Sequence, residues 1–301
     1  MEEKKFKTGF VSIIGRPNVG KSTLLNKLLG TKISIVTPVA QTTRDRIAGI
    51  FNSDAGQIIF YDTPGYHTSK KEMNNYMNRI IFSSSKDSDV ILFVVPCNEW
   101  IGENDRFLLE KIIKFNTPVI LVVTKIDLLE KENVEAKEKE WRQLWDGWVD
   151  IVKISSPVNK NLDQLIEKVY NSLPYSDIQY YPIEQITDRT NKFIIKELIR
   201  EEILIKTKQE IPHSSAVLIE KYEDREKTLY INATIFVERN SQKPILIGKS
   251  GSKLKSIGTD ARIKIQDFLH CKVYLELYIK VKEDWTRSGS LLKKMGYDEI
   301  S

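Results

Sequence analysis

From residue 10 to about residue 173, short runs of nearly continuous Ile and Val alternate with stretches of helical periodicity. The runs 10–14, 58–61, 90–95, 119–123 and 151–154 hold too few polar positions to leave one sheet face in water. They predict a mostly parallel sheet buried on both sides. The stretches between them, 22–29 and 104–114 included, predict helices covering both faces, an α/β layout. The pattern breaks at Leu173-Pro174-Tyr175-Ser176 and stays broken through Tyr180-Tyr181-Pro182, where two prolines and few aliphatic residues read as an interdomain linker. A boundary near Tyr181 gives domains 1–181 and 182–301.

The second half changes order. A helix over 188–207, two antiparallel strands over 215–222 and 227–237, a helix over 252–269 and a strand over 272–281 predict an α+β module. Leu229, Ile231, Ala233, Ile235 and Val237 alternate with Tyr230, Asn232 and Thr234, which predicts one buried face. The charge-dense stretch 130–140 predicts an exposed helix laced with i,i+4 pairs.

Composition narrows this picture only slightly. A chain of 301 residues fits two domains of ordinary size, and 41% hydrophobic with 29% charged residues is a globular balance. The longest apolar runs stop well short of the roughly 20 residues a bilayer crossing requires. The charged segment 1–7 does not fit a secretory signal, so the cytoplasm is the expected location. Cys97 and Cys271 both flank strand-like runs and are expected to be buried free thiols. A net charge of +5 is too mild to establish a nucleic-acid partner. Its distribution says more: within 239–264, Arg239, Lys243, Lys249, Lys253, Lys255, Arg262 and Lys264 face the single acid Asp260.

The first chemical signal is Gly15-Arg16-Pro17-Asn18-Val19-Gly20-Lys21-Ser22, which fits GxxxxGK[ST] between a predicted strand and a predicted helix. Glycines let the backbone wrap phosphates, and loop N–H groups with the helix terminus present positive partial charge to them. Lys21 is expected at the β and γ phosphates and the Ser22 hydroxyl at magnesium, with Thr23 completing the nucleotide-contacting run.

The base is indicated by Thr124-Lys125-Ile126-Asp127, which follows the run 119–123 and fits [NT]KxD. An Asp127 carboxylate accepts from the ring N–H and exocyclic amine of guanine, donors that adenine lacks at those positions. The Lys125 stem is expected to cover the base, and Thr124, in place of Asn, to weaken one supporting hydrogen bond. Asp62-Thr63-Pro64-Gly65 fits DxxG, with Asp62 helping to hold magnesium and the Gly65 N–H sensing the γ-phosphate. In Gln41-Thr42-Thr43-Arg44, Thr43 in the first place and Thr42 in the second is expected to complete the metal shell. Ser155-Ser156 stands where a short serine loop contacts guanine through its backbone. The phosphate loop, the DxxG segment, the TKxD segment and the serine pair, each after a predicted strand, fall where ligands bind in open α/β sheets. Arg44 and Arg46 are expected to be solvent-exposed, and His67 to pack or cap locally.

In the second half, Ile247-Gly248-Lys249-Ser250-Gly251 matches the GxxG loop of KH domains, and the order of elements is that of the type II KH arrangement. Small residues let backbones approach closely, and Lys249, Ser250, Lys253 and Lys255 belong to the expected single-stranded RNA groove. Trp285, Arg287 and Lys293-Lys294 either extend the basic surface or form a terminal helix packed on the KH sheet.

Through the phosphate loop, Gln41-Thr42-Thr43-Arg44 and Asp62-Thr63-Pro64-Gly65-Tyr66-His67, the sequence resembles the translation-factor-related GTPases, particularly the Era family, across both domains. The resemblance implies an α/β P-loop GTPase domain followed by a type II KH domain, with GTP/GDP and Mg2+ as ligands. Tyr66 stands where Ras-like proteins have a water-orienting glutamine. Resemblance to the family implies instead a K+-assisted reaction, with Lys21, Thr43, Gly65 and Asn18 as the catalytic set and Asn18 as the potassium ligand. It also implies binding of the 3′ region of small-subunit ribosomal RNA, a role on the assembling small subunit as a monomer, and peripheral contact with the inner membrane face. No strongly amphipathic segment supports that last contact.

Overall fold

The computed structural model describes residues 6–68, 72–176 and 178–297. By its contacts the chain divides into two units. The first holds most of the chain to Asp188, and the second comprises the strip Ile35–Thr42, residues 72–76 and the chain from Arg189 onward.

In the first unit the elements run β1 (Lys7–Ile14), α1 (Lys21–Leu29), β2 (Ile47–Ser53), β3 (Gly56–Asp62), α2 (Glu72–Lys86), β4 (Val90–Pro96), α3 (Glu103–Ile112), β5 (Val119–Thr124), α4 (Lys131–Leu144), β6 (Asp150–Lys153) and α5 (Leu162–Ser172). They build a six-stranded sheet in the order β2-β3-β1-β4-β5-β6, parallel except for the β2/β3 hairpin. Both faces are buried, as continuous apolar strands require. On one, Ile91, Phe93 and Val95 pack with Ile81, Leu108, Val134 and Trp141 of α2, α3 and α4. On the other, Leu92, Val94, Ile120 and Val122 are equally inaccessible.

Helix α4 carries the expected Lys131–Glu135 and Arg142–Glu138 pairs, yet it also buries Val134 and Trp141 and so has a core face. The hairpin strand β2 was not anticipated. Ile47-Ala48-Gly49-Ile50 is buried continuously, and a side chain on Gly49 would stand 2.6–2.7 Å from Leu29 and Leu25. The segment after Tyr181 stays with this unit, adding a bridge from Thr187 to Gly49 and a bond from the Ile50 N–H to the Ile186 carbonyl.

In the second unit follow α6 (Asn191–Lys206), α7 (Ile211–Ser214), β7 (Ala216–Arg225), β8 (Thr228–Val237), α8 (Gln242–Ile247), α9 (Ser252–Leu269), β9 (Val273–Val281) and α10 (Gly289–Lys294). Strand β8 is central, antiparallel to β7 and parallel to β9. The alternation read along β8 holds: Ile231, Ala233, Ile235 and Val237 join Ile195, Ile199, Ile203, Ile257 and Ile265 in one core. Helix α6 starts where the Thr190 hydroxyl accepts the Phe193 N–H at 3.3 Å, an N-cap that satisfies one of the otherwise unpaired donors of the first turn.

One expectation fails here. Cys97 is buried, but Cys271 lies exposed at the α9–β9 turn, where the chain reverses. Of the two alternatives for the tail, Trp285 takes the packed one: it is fully buried, stacks on Tyr297 with ring centroids 5.8 Å apart and donates its indole N–H to the Ser214 carbonyl. Lys293 and Lys294 remain exposed on α10.

Candidate nucleotide site and nucleic-acid interface

The phosphate loop spans the turn from β1 into α1, and close backbone approaches explain its glycines. A side chain on Gly15 would lie 2.4 Å from the Val94 carbonyl oxygen, and one on Gly65 2.6 Å from the Pro17 nitrogen. Gly20 caps α1 at φ +105°, a conformation that favours glycine. Lys21 opens the helix and is buried, donating to the carbonyls of Gly15 at 3.0 Å and Arg16 at 2.8 Å. Burial pulls its ammonium from 10.5 down to about 8, against the opposing charge of Asp62. A desolvated cation beneath a ring of N–H donors is suited to anionic oxygens.

Beside it, three oxygen-bearing side chains converge. The Ser22 hydroxyl lies 2.6 Å from Asp62 Oδ2 and 2.9 Å from the Thr43 hydroxyl, itself 3.4 Å from the same carboxylate oxygen. Asp62 is wholly buried, and burial raises its carboxyl pKa while bonds from Ser22, the Lys21 charge and bonds from Ser34 and Thr43 lower it. Its Oδ1 has no hydrogen-bond partner among the described residues. A hydroxyl pair and a carboxylate with one unsatisfied oxygen fit a small hard cation such as Mg2+. The structure brings Thr43 to this cluster and not Thr42, whose hydroxyl bonds to Thr37 and to the Val39 carbonyl.

At the other end, β5 delivers Thr124, Lys125 and Asp127. The Thr124 hydroxyl reaches the Val19 carbonyl at 2.7 Å and that of Val95 at 3.1 Å, tying the base loop to the phosphate loop despite the missing asparagine. Asp127 is exposed, and its Oδ1 accepts from the buried Ser155 hydroxyl at 2.5 Å, which aims the carboxylate; Ser156 is buried beside it. Lys125 takes a left-handed backbone at φ +59° and points its ammonium to Glu99 at 3.3 Å.

Several supporting residues had no motif to announce them. Ser34 donates to Asp62 at 2.7 Å and is itself fixed by Asn26 of α1, which accepts the Ser34 N–H and donates to its carbonyl. Asp105 of α3 holds Arg16 at 2.7 Å, and Glu99 bridges Arg16 at 3.2 Å and Lys125. These are meetings of residues 8 to 89 positions apart, which no local spacing records.

In the DxxG segment, Thr63 is buried and donates to the Ile13 carbonyl at 2.8 Å, and Pro64 is buried beside it. Tyr66 is buried too, stacked on Phe107 at 5.3 Å and packed against Phe82. Its phenol belongs to the core and is no substitute for a water-orienting amide. His67 is exposed, with its carbonyl accepting from Asn78, and Asn18 is exposed with φ +62°. The arginines differ from expectation: Arg44 is buried, and Arg46 lays its guanidinium 4.2 Å over the Tyr61 ring, because β2 begins right after them and draws both inward.

In the second unit the chain turns between α8 and α9 at Gly248-Lys249-Ser250-Gly251. Gly248 sits at φ +73°, ψ 178°, a region essentially reserved for glycine, and a side chain there would lie 2.7 Å from Lys253 Cβ. Gly251 caps α9 at φ +80°. Around the loop Lys243, Lys249 and Lys255 are exposed and Lys253 and Ile247 half-buried, with Ile245 exposed next to them. Lys264 leaves the basic set, since it is paired with Glu201 at 2.6 Å and Glu202 at 2.5 Å.

A GxxxxGK[ST] loop, a hydroxyl and carboxylate cluster, and a TKxD loop at the ends of parallel strands define a P-loop GTPase, here joined to a module with a GxxG turn. Comparison with known proteins agrees. Residues 10–125 match the family described as 50S ribosome-binding GTPase, and residues 210–286 match the KH domain. The GTPase Era of Halothermothrix orenii is 43% identical over 97% of this chain and 99% of its own, and that of Clostridium kluyveri 46% over the same shares. Two solved structures superpose with a TM-score of 0.94 at 39% identity, covering 97% of this chain and 99% of theirs. One is Era in complex with MgGDPNP and nucleotides 1506–1542 of 16S ribosomal RNA, the other an Aquifex aeolicus Era variant bound to GDP·AlF4−. The chain belongs to the Era family of GTPases, and it hydrolyses GTP. Among the described residues no helix is long and apolar enough to cross a membrane.

Proposed function

We propose that this chain is a GTP-driven switch that holds the single-stranded 3′ region of small-subunit ribosomal RNA and assists assembly of that subunit. The first unit, which runs past the expected boundary at Tyr181 to Asp188, would carry the nucleotide function, and the chain from Arg189 onward the RNA function. The observation that carries the reading is the GxxG turn: glycine geometry at both ends, a helix opening behind it and exposed lysines around it suit an RNA backbone, with Ile247 as part of the groove. The relative whose complex includes 16S nucleotides 1506–1542 supports the choice of RNA. Gly248→Ala tests it, since the added carbon forces the turn open. RNA affinity read by fluorescence anisotropy at fixed salt is expected to fall tenfold or more, an effect of about 1.4 kcal/mol. An unchanged affinity would sink the assignment of the groove.

For hydrolysis, Lys21 would neutralise phosphate charge, Ser22, Thr43 and Asp62 would hold Mg2+, and the Gly65 N–H would report the γ-phosphate. The metal would offset charge on the phosphate oxygens. The loops 15–23, 62–65, 124–127 and 155–156 would together bind GTP and GDP. Because Tyr66 is packed into the core, no side chain directly after Gly65 orients water. Asn18 would therefore hold K+, as the family resemblance implies. Single-turnover hydrolysis is expected to run at least tenfold faster in potassium than in sodium at equal ionic strength, a threshold set below the roughly 10²–10³-fold that one preorganised donor at developing charge supplies. Equal rates in the two salts would remove the potassium site.

A further inference from the structure

The second unit includes a piece of the nucleotide-sensing loop, the strip Ile35–Thr42, and one helix accounts for how it is held. Helix α6 turns Ile194, Ile195, Leu198, Ile199 and Ile203 into the core of its unit. Its remaining face should be wet, because charged residues are almost never fully buried unless paired. Instead Glu197, Arg200, Glu201 and Glu202 are 4%, 0%, 1% and 3% exposed. Buried charges are tolerated only with well-made partners, and each of these has one.

Arg200 is clasped by the Glu197 carboxylate, with Nη2 at 2.6 Å from Oε2 and Nε at 3.1 Å from Oε1. The same Nη2 donates to the carbonyl of Thr42. One residue along, Glu201 Oε1 accepts the backbone N–H of Val36 at 3.2 Å. The strip is thus gripped at both ends, once through a carbonyl and once through an N–H, by adjacent residues of a single helix turn. Thr42 directly precedes Thr43, whose hydroxyl faces Ser22 and Asp62.

The opposite side of the grip leads to the GxxG turn. Glu201 Oε2 and Glu202 Oε1 both take the ammonium of Lys264 on α9, at 2.6 Å and 2.5 Å. Further along, Lys206 of α6 pairs with Asp260 of α9 and donates to the Ser256 carbonyl at 3.0 Å. Helix α9 begins immediately after Gly251, so α6 and the helix that carries the RNA turn are pinned at two places. Glu201 belongs to both contacts: one carboxylate oxygen is on the strip and the other on α9.

We propose that Arg200 and Glu201 form a latch through which the strip 35–42, and with it the Thr43 that senses the nucleotide, sets the position of α9 and its GxxG turn. They are positioning residues for nucleotide-dependent RNA binding, and the proposal rests on the switch reading above. A strip drawn toward the metal by GTP shifts the two groups that α6 grips; because the charges of α6 lie out of water, they cannot exchange that contact for solvent without a large cost. The differential contact that coupling requires is therefore made by named groups.

The test measures affinity of the full chain for RNA of the sequence equivalent to 16S nucleotides 1506–1542, with a non-hydrolysable GTP analogue and with GDP, both with Mg2+. The parent is expected to show a ratio of about fivefold or more between the two states. Arg200→Gln removes the grip on Thr42, and Val36→Pro removes the N–H that Glu201 accepts without touching α6. In both, the ratio is expected to collapse to within about twofold of unity, while the parent's reciprocal effect of RNA on nucleotide affinity is lost by the same factor. Thermal melting identifies a variant that has lost its fold, and Val36→Pro decides alone if Arg200→Gln has. Variants that keep the parent's ratio overturn the latch and leave the switch reading standing. A parent ratio of one overturns the switch reading and the latch with it.

Discussion

Replacing Lys21 with methionine is expected to abolish nucleotide-induced stabilisation while leaving the nucleotide-free first unit more stable than the parent. Both effects come from one property. The Lys21 ammonium is buried and desolvated, enough to lower its pKa to about 8 despite the opposing charge of Asp62, and it donates to two backbone carbonyls. Methionine fills a similar volume without a charge, so the burial cost disappears. Each kcal/mol relieved is worth roughly 2–4 °C in a unit of this size. With GTP the sign reverses. Charge-assisted bonds to phosphate oxygens contribute about 1.5–3 kcal/mol each, and loss of such a donor at developing charge costs about 10²–10³-fold in kcat. Ligand stabilises by mass action only while it binds, so the shift of the melting midpoint with added GTP should vanish. Differential scanning fluorimetry with and without nucleotide, paired with phosphate release, reads all three quantities. A variant that melts lower without nucleotide and still shifts with GTP would show that Lys21 is a structural residue.

How far the sequence foretold this arrangement depends on where each contact lies along the chain. The phosphate loop, DTPG and TKID segments were legible because each is a contiguous backbone shape with its own glycine or helix start. The same is true of Gly248 and Gly251, whose positive φ values are local demands. Ser34, Asn26, Glu99 and Asp105 were invisible because their importance arises only when separate elements meet around Asp62 and Arg16. Charge misled in both directions. Arg44 and Arg46 read as exposed, yet the start of β2 draws them inward, whereas Lys264 read as part of the basic stretch 239–264 and is held by two glutamates of α6. The buried row on α6 shows the reason: a run such as Glu197, Arg200, Glu201 looks like a solvated face until its neighbours are known. Cys271 failed for a simpler cause, since the apolar run beside it begins two residues later, at Val273, and leaves the thiol in the turn.

The base preference offers the second large effect, because it can be inverted rather than merely lost. Asp127 presents an exposed carboxylate at the end of the TKID loop, aimed by the Ser155 hydroxyl at 2.5 Å. Guanine offers it two donors, the ring N–H and the exocyclic amine, and bonds to a charged acceptor contribute about 1.5–3 kcal/mol each. Asp127→Asn replaces one acceptor oxygen with an amide donor, which then confronts the exocyclic amine of guanine. Affinity for GTP is expected to fall by about 10²–10⁴-fold, the equivalent of losing both bonds. Xanthine keeps the ring N–H but carries a carbonyl where guanine has the amine, so the asparagine amide now finds an acceptor. The same variant should bind xanthosine triphosphate more tightly than GTP, the reverse of the parent. Ser155→Ala, by contrast, removes only the group that aims the carboxylate and should cost about 1 kcal/mol, a net neutral hydrogen bond, with the preference for guanine retained. Titration calorimetry of both variants against the guanine, xanthine and adenine triphosphates separates recognition from aim. An Asp127→Asn chain that still prefers GTP would mean that the base is read elsewhere, by the backbone around Ser155 and Ser156.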